Sequence, residues 1–162
     1  MSRPYKLTRN QLKSLCLHQA VADRLVADSD EVLGKARANL DRLLKQHRAT
    51  TTEIWLKRWQ NKIDEGVGAV LEALTSEDSE AVELRQNSPF AGVLPEPHRQ
   101  QILASFSAAT RAAAKTASAS RQQDGEAVLD TADVRAWLAE AAVDERGTHE
   151  DSVETLRARL VY

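Results

Sequence analysis

A chain of 162 residues is long enough for one compact domain or a domain with an appendage. With only 4% aromatic residues its core must rest on Leu, Val and Ala, which favours helices over sheets. The single cysteine, Cys16, excludes an intramolecular disulfide and a Cys-rich zinc site.

The net charge of −2 conceals a division along the chain. Residues 1–62 hold 13 Lys and Arg against 6 Asp and Glu, net +7; residues 63–162 hold 9 against 18, net −9. Either the two halves neutralise each other within one fold or dimer, or one of them faces a charged partner. No run approaches the ~18 apolar residues of a spanning helix, and no apolar run follows Met1–Lys6 as in a signal peptide. A cytoplasmic protein that touches no membrane is the expectation.

In chain order, Thr8 predicts an N-cap and Leu17, Val21 and Leu25 the apolar stripe of a first helix reaching about Ala27. Asp28–Glu31 supplies a cap and first-turn acids for a second helix with the stripe Leu33, Ala36, Leu40, Leu43 and Leu44. A third starts near Thr51 and carries Trp55, Leu56, Trp59 and Ile63. After Gly66 a short helix runs from Val67 to Leu74. Thr75-Ser76-Glu77-Asp78 has capping-box spacing for a fifth helix that ends near Gln86.

Pro89 disfavours helix at Ser88, so the chain must turn there. Ser88–Pro97 is an apolar loop, and Pro97 suits the first turn of the next helix. That helix carries Ile102, Leu103 and Phe106 and then becomes Ala-rich. The chain therefore divides into a main helical domain over 1–117, a linker over 118–125 and a two-helix appendage over 126–162. The appendage holds a capped helix with Val134, Trp137 and Leu138, then a last one with Val153, Leu156 and Leu160. Two short helices bury too little surface to fold alone, so they must dock on the domain, a second copy or a partner. The expected fold class is all-α, a compact multi-helix domain with that appendage.

Little in the sequence points to catalysis. His18, His47, His98 and His149 are scattered, with no second His or Cys at metal-ligand spacing. No Gly-x-Ser-x-Gly elbow or phosphate loop is present, and the pairs Asp64-Glu65 and Glu77-Asp78 read as helix-end acids. The expectation is a non-enzyme with no cofactor and no metal.

Contact with a macromolecule is the remaining reading. Trp55 and Trp59 share a helix face, with Lys57, Arg58 and Lys62 around them. This is a candidate nucleic-acid surface or, more simply, an inward apolar stripe with a solvated counter-face. Phe90, Val93 and Leu94 either plug the helices from within or form an apolar anchor rimmed by Arg85, Gln86 and Asn87. The candidate partner-binding residues are Trp55, Trp59, Arg85, Asn87, Phe90 and Trp137.

Trp55-x3-Trp59, Val70-Leu71-x2-Leu74-Thr75-Ser76 and above all Leu84-Arg85-Gln86-Asn87-Ser88-Pro89-Phe90-Ala91-Gly92-Val93-Leu94 resemble a group of small, little-characterised bacterial helical proteins. The resemblance covers roughly residues 8–106. Members of that group are often encoded beside toxins of nuclease-like or nucleotidyltransferase-like type. The resemblance implies an antitoxin-like role: neutralising a toxin encoded by the adjacent gene through steric and electrostatic occlusion. A DNA- or RNA-binding regulator using the basic N-terminal helices is the alternative, and self-association is open in both.

Overall fold

The structure, a computed structural model, describes residues 6–120, and all six elements among them are α-helices. They are α1 (Arg9–Ala27), α2 (Ser29–Gln46), α3 (Thr51–Glu65), α4 (Val67–Thr75), α5 (Ser79–Gln86) and α6 (Glu96–Ser120). The fold class is all-α. The chain divides into two compact units, Met1–Ala104 and Ser105–Tyr162, and the division falls inside α6. Ser118–Ser120 of the expected linker are helical; the rest of the linker and the appendage with Trp137 lie outside the described residues.

Caps place the helix starts. Thr8 forms a full capping box on α1: its N–H donates to Gln11 Oε1 at 2.8 Å and its Oγ1 accepts from Gln11 N at 3.3 Å. Asp28 accepts from Glu31 N at 3.0 Å to open α2, and Thr50 from Glu53 N at 3.4 Å to open α3. Gly66 joins α3 to α4 at φ 123°, a conformation that a side chain would strain.

One boundary differs from the sequence reading. Thr75 closes α4 instead of opening α5, and the N-cap of α5 is Asp78, which accepts from Ala81 N at 2.8 Å. Thr75 is the last α4 residue, and its hydroxyl donates back to Leu71 O at 2.8 Å. A carboxylate free to reach the first turn then serves as the cap.

Within the first unit, α1 packs on α2 and α4, and α3 packs on the same two helices. The four helices thus close a ring in which α2 lies diagonally opposite α4. The short α5 fits against α1, α3 and α4. Leu25, Val32, Ala36, Leu40, Leu56 and Ile63 meet Val70, Leu74 and Leu84 in one core. At about 1.5–3 kcal/mol for each large aliphatic side chain removed from water, this core is what offsets the ordering of the chain. Val32, not Leu33, supplies the buried position of α2's first turn; Leu33 packs half-buried at the core's edge. In residues 105–120, Phe106 and Ala109 are buried. No helix among the described residues is long and apolar enough to cross a membrane.

Candidate interaction surface

The Ser88–Leu94 loop is built into the core. Pro89, Phe90 and Val93 are buried, with Phe90 only 4% exposed. The Phe90 ring meets Trp59 edge-on, centroids 5.1 Å apart at 75°, an arrangement the aromatic quadrupoles favour. A buried indole needs an acceptor for its N–H, and Trp59 Nε1 donates to Leu84 O at 2.6 Å. From the far side, Asn39 of α2 holds the loop by donating from Nδ2 to Pro89 O at 2.8 Å and to Ala91 O at 2.9 Å. Gly92, at φ 78°, makes the turn that brings Val93 N back to Phe90 O at 3.3 Å.

Arg85 is 3% exposed, and its Nη1 donates to Ala73 O at 3.1 Å and Ser76 O at 2.5 Å. Carbonyls at a helix C-terminus lack intrahelical partners and carry negative partial charge. Arg85 therefore caps α4 from inside the bundle. Asn87 does the same for α5 more modestly, donating from Nδ2 to Glu83 O at 3.0 Å.

Three of the candidate partner contacts are buried within the fold. Trp59, Arg85 and Phe90 are spent inside the fold, because the apolar and hydrogen-bonding demands of the core take them first. Asn87 is half-buried and committed to the end of α5. Of the candidate nucleic-acid residues, Lys57 pairs with Glu53 at 2.8 Å and Arg58 with Glu80 of α5 at 3.3 Å. Lys57 and the Ala49 N–H together hold the Glu53 carboxyl below its usual range. Lys62 is half-buried.

What remains accessible is a stripe along α3. Trp55 is half-buried at the edge of the core, and the Arg58 guanidinium lies over its ring, 4.6 Å from the centroid. Ile54 stands 55% exposed, a large apolar side chain left in water. Arg58 follows Ile54 by four residues and Trp55 by three, so the three share one face. The Arg58–Glu80 pair carries that face across to α5, and Glu77 and Asp78 are exposed in the turn before it. The result is a small apolar centre with a charged rim, the composition of a protein interface.

Ile54 was overlooked in the sequence, although its signal is there. At 100° per residue it lies some 200° from Leu56 and 180° from Ile63, opposite the buried stripe. The same geometry puts Trp55 only about 40° from Trp59, at the stripe's edge.

His18 has a perturbed protonation state. Its Nδ1 lies 2.7 Å from Ser14 O, which requires the proton on Nδ1. Burial pushes its pKa down to about 4, and the nearby Arg85 cation adds to the shift. With Nδ1 donating to a carbonyl, it is unable to take a proton from the Ser14 hydroxyl 3.3 Å away, so the pair is not a nucleophile and base. Among the described residues no three His, Cys, Asp or Glu side chains group to hold a metal.

No protein-family model matches the chain, and no curated protein or solved structure matches it.

Proposed function

We propose that this protein is a non-catalytic, antitoxin-like interaction protein that docks on a partner protein through the α3–α5 face. The observation that carries the reading is Ile54, exposed beside Trp55 and Arg58 on a rigid helix. Aromatic and arginine side chains around a desolvated centre are where binding energy concentrates. The acidic residues Glu72, Glu77, Asp78 and Glu80 stand exposed on α4 and α5 and in the turn between them. They complement a basic substrate groove of the kind a nuclease or nucleotidyltransferase toxin presents, so docking there would occlude it sterically and electrostatically.

The test is to mix the purified protein with the product of the adjacent gene. Co-elution and loss of the toxin's activity are expected. Separate elution with activity intact would end the proposal.

A second reading is favoured by one specific observation. Arg42, Lys45 and Arg48 are exposed at the end of α2 and in the α2–α3 turn, with no ion pair among the described residues. They form a better phosphate-contacting group than Lys57 and Arg58. A regulator of this kind would bind DNA or RNA with steep salt dependence. An Arg42→Glu, Lys45→Glu variant that binds DNA as the parent does would remove this reading.

A further inference from the structure

We propose that the cavity between the first turns of α1 and the C-terminal half of α5 is a binding site for a small polar anion, a carboxylate or a phosphate. The cavity has a volume of about 290 Å³, at the lower end of the range for small-molecule sites. Its walls are chemically one-sided. Asn10, Gln11 and Ser14 come from the first two turns of α1, and Gln86 from the end of α5; Val82 is the apolar exception. Thr8, the α1 cap, completes the rim. These are hydrogen-bonding groups, and no described lining residue is acidic.

The one charged side chain among the described lining residues is a cation. Arg85 forms part of the wall, and its two bonds to the carbonyls at the end of α4 fix its position. A cation held in a low-dielectric interior acts on its surroundings over several ångströms, so it need not touch the ligand to favour an anion. Preformed polar walls around a positive potential suit an anion bearing several acceptors, and they disfavour a neutral apolar ligand. This site is separate from the α3–α5 face and does not depend on it.

The experiment is a titration of the full-length protein with sodium succinate, inorganic phosphate and neutral succinamide, followed by the backbone amide resonances. Saturable shifts at Asn10, Ser14, Val82 and Gln86 with either anion, and none with succinamide, are expected. The anion that binds more tightly distinguishes a carboxylate ligand from a phosphate one. Gln86→Glu places a negative charge at the rim of the cavity on an exposed position that the fold does not need. It should weaken anion binding about tenfold while the rest of the spectrum is preserved. The proposal is overturned if neither anion produces saturable shifts, if succinamide shifts the same residues equally, or if Gln86→Glu binds the anion as the parent does.

Discussion

Trp59, Phe90 and Arg85 show how a few side chains set the shape of this bundle. Trp59 spends its ring on Phe90 and its N–H on Leu84 O. Truncating Phe90 to Ala should therefore cost about 3–5 kcal/mol in chemical denaturation. Trp59→Phe keeps most of the ring but loses the hydrogen bond, and about 1–3 kcal/mol is expected from the acceptor and the volume left behind. His18 adds a pH dependence whose sign follows from its neutral, buried ring. The folded-state pKa of about 4 lies below the ordinary 6.5, so the unfolded chain takes up the proton first as pH falls. Its contribution is complete above pH 6.5, declines between 6.5 and 4, and changes no further below that. The loss amounts to at most about 3 kcal/mol. Denaturation midpoints of the parent should fall across that window, and those of His18→Gln should fall less.

At the scale of elements, the connections carry the measurable strain. Ala49, in the α2–α3 turn, has φ 59°, a left-handed conformation costly to any residue with a Cβ. Ala49→Gly should raise stability by up to about 1 kcal/mol, seen as a higher melting midpoint. Asp78→Ala should lower it by about 0.5–2 kcal/mol through loss of the α5 cap. The helices were legible because their signals are local: Thr8 as a cap, the four-residue spacing of Val21 and Leu25, and Gly66 as a break. The roles of Arg85 and Phe90 were not, since they depend on α4 carbonyls and an α3 indole brought near only by folding. A polar rim around an apolar loop reads alike in sequence whether it faces inward or outward. The start of α5 was misplaced because Thr75 and Asp78 both have capping chemistry, and only the helix end decides which is used.

Over the first unit as a whole, the charge division acquires a spatial form. The exposed cations Arg42, Lys45 and Arg48 belong to α2 and its following turn, while Glu72, Glu77, Asp78 and Glu80 belong to α4, α5 and the turn between them, with α4 diagonally opposite α2. Two ion pairs, Arg37–Asp64 at 2.8 Å and Arg58–Glu80 at 3.3 Å, join the basic stretch to the acidic one. Both are exposed, and such pairs contribute roughly 0–1 kcal/mol each. The α3–α5 face spans this division at the Arg58–Glu80 pair, with Ile54 exposed on its α3 side. The most direct test of the account is the affinity of Ile54→Glu for the adjacent gene's product, measured by titration calorimetry beside the melting midpoint. Binding at least about tenfold weaker is expected, as for a residue at an interface centre, with the melting midpoint unchanged. Parental affinity in the Ile54→Glu variant would contradict the assignment of the α3–α5 face.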